Sequence, residues 1–397
     1  MRLTRYIWLV IFSAVTQSAL GQTTPTSAED LKRAEEIYVK VWEHYRVPTY
    51  GLFSENYPSN QKDTLTYLQG SGVAEKEVSF LWPFSGIVSA TNVLLKIPAV
   101  KKRYVPYLDS LVYGLEKYRD TTRLPIGYQA YPVQFEKADR YYDDNGLVAI
   151  DYAEAYLNTK NPVYLNRAKS VFKFILSGWD NQLGGGVYWL EGHKDMKPAC
   201  TNGMAALAAL KIYKGTKDKF YLQWGEKFYN WMHDNLRDSA GVYWNDKKMD
   251  GTVNKTTWTY NTGSMLEASL LLYEFTKKAK YLEEAKIIAN GAFNHFSAAN
   301  KNPALKLHID LPWFVTVLFR GYEALYKVDG NYQYIAAIEH DLNYAWQNAR
   351  DKNGFITLSW SPKPQELEKP KRLLDEACIA ELYARLSIVK QQRKKQN

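Results

Sequence analysis

One helical pattern opens four times along this chain, each time on Tyr followed by Leu or Ile, and that repeat restricts the folds open to it. Tyr164-Leu165, Tyr221-Leu222, Tyr281-Leu282 and Tyr334-Ile335 lie 57, 60 and 53 residues apart. Apolar residues follow at helical spacing, as in Ala285, Ile288, Ala289, Ala292 and Phe296 or Ile338, Leu342 and Trp346. Between these stretches lie second helical patterns, at 145–157, 202–213, 262–276 and 313–326. They are rich in small residues and apolar on several faces, as a helix packed on both sides would be. Helix pairs repeating at this period stack into an array or close into a ring, since no pair buries its apolar face alone. Helices at 28–45, 84–95, 104–118 and 373–390 bring the total to about six pairs. Few segments alternate with period two, so no large sheet is expected; 186–189 and 241–244 are candidates for short hairpin strands. No Pro/Ser linker interrupts the chain. The reading is one all-α domain over 22–389, a toroid of inner and outer helices.

The termini read differently. Arg2 and Arg5, the apolar run 7–15 and the small residues of Ala19-Leu20-Gly21 have the form of a secretory signal over 1–21. The run is too short to span a bilayer, and no cysteine beside the cleavage site offers a lipid anchor. Export to the periplasm or the outside is therefore expected. The net charge of +9 is misleading. Arg2 and Arg5 leave with the signal, and Lys390, Arg393, Lys394 and Lys395 sit in an acid-free tail, 390–397, expected as a solvated, disordered end. Taking those six from +9 leaves +3 for 22–389, too little for a nucleic-acid surface. Cys200 and Cys378 carry no spacing signal, and a chain this large needs no disulfide staple. The six His residues are scattered, so no metal or cofactor is expected. A monomer is expected.

The loops before the second helices collect unusual residues: Tyr141-Tyr142-Asp143-Asp144, Pro198-Ala199-Cys200-Thr201-Asn202, Trp258-Thr259-Tyr260-Asn261-Thr262 and Asp310-Leu311-Pro312-Trp313. Equivalent loops of a ring surround one cleft. Asp143-Asp144 is the only adjacent pair of aspartates. Two carboxyls side by side split their pKa values, so that one stays charged while the other keeps its proton. That is what the oxocarbenium-like chemistry of sugar cleavage requires. The plainer alternative is that Asp144 caps a helix and Asp143 complements its dipole. Trp82, Tyr142, Trp189, Tyr260 and Trp313 are candidates to stack on sugar faces, or else core aromatics under the loops. Asn145, Asn202 and Asn261 are candidates to bond sugar hydroxyls, or else N-caps. Asp139 and Arg140 are expected to form a supporting pair behind the carboxyls.

With those segments in view, the chain resembles glycoside hydrolase family 76, the α-1,6-mannanases. The likeness rests on Tyr141-Tyr142-Asp143-Asp144-Asn145-Gly146, Gly184-Gly185-Gly186-Val187-Tyr188-Trp189, Thr257-Trp258-Thr259-Tyr260-Asn261-Thr262-Gly263 and Leu373-Leu374-Asp375-Glu376-Ala377, with Leu81-Trp82-Pro83-Phe84-Ser85-Gly86 in support. It runs over about 28–386. The resemblance implies an (α/α)6 toroid and retaining cleavage of α-1,6-mannosidic bonds in mannan, with Asp143 as nucleophile and Asp144 as general acid/base. A retaining pair holds its carboxyls roughly 5–5.5 Å apart. Neighbouring side chains within a helix diverge by about 100°, so the pair is expected at a helix N-terminus rather than mid-helix. The other readings are a mannan transglycosidase and a mannan-binding protein without catalysis.

Overall fold

The computed structural model describes residues 24–59 and 77–396; the signal segment 1–21 lies outside them. In chain order the helices are α1 (Ser27–Tyr45), α2 (Leu81–Leu94), α3 (Lys101–Leu115), α4 (Tyr142–Thr159), α5 (Pro162–Ser177), α6 (Ala199–Thr216), α7 (Lys219–Leu236), α8 (Thr259–Thr276), α9 (Ala279–Ala299), α10 (Pro312–Asp329), α11 (Gln333–Asn348), a single turn α12 (Pro364–Leu367), and α13 (Leu373–Gln396). Helices α2, α4, α6, α8, α10 and α13 each pack on the next, and α13 packs back on α2, so the inner ring closes. Each inner helix from α2 to α10 lies against the outer helix that follows it, and α1 lies along α13 to complete the sixth pair. The fold is an (α/α)6 toroid.

Side-chain distribution explains which helices go inside. Outer helix α7 buries one stripe, Tyr221, Gly225, Phe228, Tyr229, Met232 and Leu236, the pattern of a helix with one solvent face. Inner helix α10 buries every residue from Pro312 to Glu323. Three successive inner helices carry glycine at their fifth position. A Cβ on Gly146 would come 2.7 Å from Met204 of α6, one on Gly203 2.4 Å from Ser264 of α8, and one on Gly263 2.5 Å from the Leu318 backbone of α10. The ring closes this tightly only because those side chains are missing, which outweighs the roughly 0.5–1 kcal/mol that a mid-helix glycine costs.

Further along, the inner helices face one another with charges instead of apolar groups. Lys211 pairs with Glu154 at 2.8 Å and Glu267 at 2.6 Å, Arg320 with Glu381 at 2.8 Å, and Arg385 with Glu381 and Glu323 at 2.8 and 2.6 Å. These buried ions neutralise one another across α4, α6, α8, α10 and α13, which is what makes them tolerable there.

Two expectations need correction. Segment 186–189 makes a single bridge, Val187 to Trp179, rather than a hairpin, and 241–244 bridges Tyr243 to Arg237 and reaches a strand only at Trp244. The larger sheet is a three-stranded antiparallel one, with Trp244–Lys248 between Met196–Pro198 and Val253–Thr257. The basic tail is not a disordered end either, because α13 continues to Gln396. Lys390 Nζ meets Asp30 at 2.6 Å and Glu339 at 2.5 Å, and the Arg393 guanidinium lies 4.4 Å from the Tyr332 ring centre. Those partners, on α1, within α11 and at its N-cap, were not visible from a run of cations alone.

Candidate active site

Helix α4 starts at Tyr142, with Tyr141 as an N-cap whose side chain does not cap the helix. Asp143 and Asp144 are therefore its second and third residues, and neither is the cap. The same count places Trp82 second in α2, Cys200 second in α6, Tyr260 second in α8 and Trp313 second in α10. These five residues line a single cavity of about 580 Å³, together with Asp144, Trp189, Trp258, Asp310 and Phe314. The volume suits a few sugar rings by the usual range of ligand clefts. One position, repeated around a ring, thus supplies five of its sixteen lining residues.

The two carboxyls sit in unequal surroundings. Asp143 Oδ2 accepts from the Trp189 indole N–H at 3.0 Å and from the Cys200 thiol at 3.4 Å, and its Oδ1 accepts from the Asp144 backbone N–H at 3.0 Å. Burial pushes the Asp143 pKa up, while these donors pull it back. For Asp144 burial again comes first, the Asp143 charge adds to it, and no donor opposes them. Its pKa is raised well above the ordinary carboxylate range. Near neutral pH this favours a charged Asp143 beside a protonated Asp144.

Backbone pairing holds Trp189 in place. Tyr142 N–H donates to the Trp189 carbonyl at 2.9 Å, Tyr141 bridges Leu190, and the Tyr141 and Trp189 ring centres lie 5.0 Å apart. Buried Arg140 anchors the same segment through Glu191, with Nε to Oε2 at 2.8 Å, and approaches Asp120 at 3.7 Å. The expected Asp139–Arg140 pair is not formed; Asp139 is exposed. On the far wall Phe314 stacks on Tyr260 with centres 4.0 Å apart and on Trp82 at 6.4 Å, and Trp258 lies at 5.7 Å. Asp310 accepts from Thr259 N–H at 2.7 Å, Thr259 hydroxyl at 2.8 Å and Leu311 N–H at 2.9 Å. It supplies from outside the cap that α8 lacks.

Of the expected stacking residues, Trp82, Trp189, Tyr260 and Trp313 reach the cavity. Tyr142 does not: it is buried against Phe174, with ring centres 4.8 Å apart. The asparagines do not line it either. Asn145 bonds both the N–H and carbonyl of Tyr128, at 2.7 and 2.8 Å, and the Tyr141 carbonyl. Asn202 does the same for Val187, at 2.8 and 3.0 Å, and for the Pro198 carbonyl. Each ties the start of an inner helix to the loop behind it, and neither is a cap. Asn261 is fully buried at the third position of α8. Sequence reading passed over Cys200, Trp258, Asp310 and Phe314 as single residues. Aligning Pro198-Ala199-Cys200-Thr201-Asn202 with Tyr141-Tyr142-Asp143-Asp144-Asn145 would have put Cys200 in register with Asp143. Both cysteines are free thiols. Among the described residues no cluster of three His, Cys, Asp or Glu is placed to hold a metal, and no helix is long and apolar enough to cross a membrane.

A helical toroid that sets two adjacent carboxyls in unequal surroundings into an aromatic-walled cleft has the form of a glycoside hydrolase. The chain matches the sequence profile of Glycosyl hydrolase family 76 over residues 110–395, and it belongs to that family. A solved family 76 mannosidase from Bacteroides thetaiotaomicron superimposes with a TM-score of 0.80 at 27% identity, over 92% of this chain and 99% of that one. A meiotically up-regulated protein of Schizosaccharomyces pombe is 32% identical over 166 residues, 37% of each chain. A mannan endo-1,6-alpha-mannosidase of Saccharomyces cerevisiae is 31% identical over 145 residues, 33% of this chain and 32% of its own length. The matched stretch thus spans only about a third of these curated relatives.

Proposed function

We propose that this protein is an endo-acting retaining hydrolase of α-1,6-mannosidic bonds in mannan, with Asp143 as nucleophile and Asp144 as general acid/base. The observation that carries the reading is the asymmetry of the pair: several donors on Asp143, none on Asp144, and like charge between them. The relatives named as mannosidases support the substrate.

In the first step the Asp143 carboxylate attacks the anomeric carbon while Asp144 hands its proton to the departing oxygen, leaving a glycosyl ester on Asp143. Esterification removes the Asp143 charge, and with it the repulsion that held Asp144 protonated. The Asp144 carboxylate can then take a proton from water as that water's oxygen attacks the anomeric carbon. Asp143 departs as carboxylate, and the anomeric configuration is retained. Trp82, Trp189, Tyr260 and Trp313 offer flat faces for the sugars on either side of the bond. Secretion through the 1–21 signal and action as a monomer belong to the same proposal.

The test is to incubate the mature protein, Asp143→Ala and Asp144→Ala with unbranched α-1,6-mannan and follow the products over time. An early ladder of oligosaccharides is expected from the wild type, with each variant slower by roughly 10²- to 10⁴-fold. Mannose alone from the first time point would overturn endo action. No product, with mannan retarded in an affinity gel, would leave a binding protein.

A further inference from the structure

No Lys, Arg or His lines the cavity among the described residues, so the buried Asp143 carboxylate is held without a cation. What faces it is known side by side: Asp144 on its own helix, Tyr141 at the N-cap, Trp189 from the bridging segment, Cys200 from α6 and Tyr260 from α8, with Asp310 near Tyr260. Cys200 Sγ lies 3.4 Å from Asp143 Oδ2, and Cys200 and Tyr260 both line the cavity beside it. Three successive inner helices thus bring their second residues to one place, with the thiol donating to the carboxylate. We propose that Cys200 is a positioning residue for the Asp143 nucleophile, and that its thiol is used because it is a weak donor.

The physical argument concerns strength. A nucleophilic carboxylate loses its charge when it forms the glycosyl ester, so every strong donor that stabilises the free carboxylate also raises the barrier to using it. A cation or hydroxyl would bind Asp143 more tightly in the resting state. A thiol is a weaker donor, able to fix the direction of Oδ2 at a smaller cost to attack. Burial and the neighbouring Asp143 charge push the Cys200 thiol well up, so it stays protonated and donates rather than competing as a nucleophile.

The proposal rests on the assignment of Asp143 as nucleophile, and its test has one arm with substrate and one without. With α-1,6-mannan, Cys200→Ala is expected to lower kcat about tenfold with little change in KM and to move the acidic limb of kcat/KM to higher pH, because a donor to Asp143 is lost. Cys200→Ser is expected to move that limb the other way, to lower pH. A filler without a donor role would give no such opposed shifts. Equal limbs in both variants would overturn the proposal. Without substrate, alkylation by iodoacetamide reads Cys200 alone, since Cys378 is fully buried. Asp143→Asn removes the charge that suppresses the thiolate, and alkylation at pH 7 is expected to quicken by about tenfold or more. An unchanged rate would refute the Cys200–Asp143 contact. A wild type inert on mannan, with this alkylation response intact, would refute the substrate assignment and leave the contact standing.

Discussion

Glu381 offers a direct test of how the ring is held closed. Its carboxylate on α13 is wholly buried, accepts from Arg320 of α10 through Nε at 2.8 Å and Nη2 at 3.0 Å, and accepts from Arg385 at 2.8 Å. Burial raises its pKa, but the two guanidiniums outweigh that and hold it down at about 2, from an ordinary 4.5. A depressed carboxylate pKa contributes stability that is present above the ordinary value and is lost as the pH falls toward the lowered one. At about 1.36 kcal/mol per unit the shift corresponds to ~3 kcal/mol. Removing one partner of a buried pair costs a similar ~3–5 kcal/mol, so the two lines of reasoning agree. Glu381→Gln is therefore expected to lose ~3 kcal/mol at pH 7, a fall in melting temperature of roughly 6 °C at about 2 °C per kcal/mol for a large domain. The gap between wild type and variant should shrink by about half or more on going to pH 3, as the wild-type carboxylate protonates. Thermal unfolding followed by circular dichroism across that range reads both effects. A gap that stays constant with pH, or none at pH 7, would show that the charge is not what closes α13 onto α10. The Arg320 guanidinium also lies 4.9 Å from the ring centre of Trp313 in the cavity wall, so a modest rise in KM for mannan should accompany the loss.

Asp310→Ala is expected to leave the buried Thr259 N–H and hydroxyl without their acceptor, costing ~2–4 kcal/mol by thermal unfolding and lowering kcat/KM because Tyr260 follows Thr259; an unchanged melting temperature would refute the external cap. The pH profile of kcat/KM is expected to be bell-shaped, falling at low pH as Asp143 takes a proton and at high pH as Asp144 loses one. Both limbs should lie above the ordinary aspartate value, with the Asp144 limb well above it. Because the Asp143 charge contributes to the Asp144 shift, Asp143→Asn should lower the Asp144 pKa, read by carbon NMR of the labelled carboxyl; a pKa that stays put would separate the two groups.

Much of the ring was legible because inner and outer helices bury different amounts of surface, and burial writes itself into periodicity. The Tyr-Leu/Ile starts and the small-residue helices gave the pairs. The helix beginnings were harder to see. The patterns at 145, 202 and 262 start three residues after α4, α6 and α8 do, because the first turn of each faces the cavity and carries no apolar stripe to read. The same displacement misassigned the asparagines: Asn145 and Asn202 look like cap or cleft residues when the helix is taken to begin on them, and become internal ties once it begins at 142 and 199. The sheet linking the loops before α6 and α8 was hidden by its polarity, since Asn-Asp-Lys-Lys and Asn-Lys-Thr-Thr do not alternate. Only the Asp250-Gly251 turn between its strands carried a signal. Tyr142 was indistinguishable from Tyr141 without knowing which of two adjacent side chains faces Phe174.

Where the two aspartates sit in α4 removes the cap reading of Asp144 but leaves the pull of the helix on both. A carboxylate in the first turn of a helix is favoured by the helix dipole and the free N–H groups, and Asp143 uses one of those, on Asp144. The dipole acts on both residues and cannot make them differ. The difference comes from the ring: Asp143 points toward the neighbouring second-position residue Cys200 and toward Trp189, and collects their donors, whereas Asp144 meets none. A toroid repeats one backbone site around a common cleft, so chemistry arises wherever neighbouring copies carry complementary side chains. Here the thiol in the neighbouring copy of that site, with the Trp189 indole, distinguishes two adjacent carboxyls that the helix alone would leave alike.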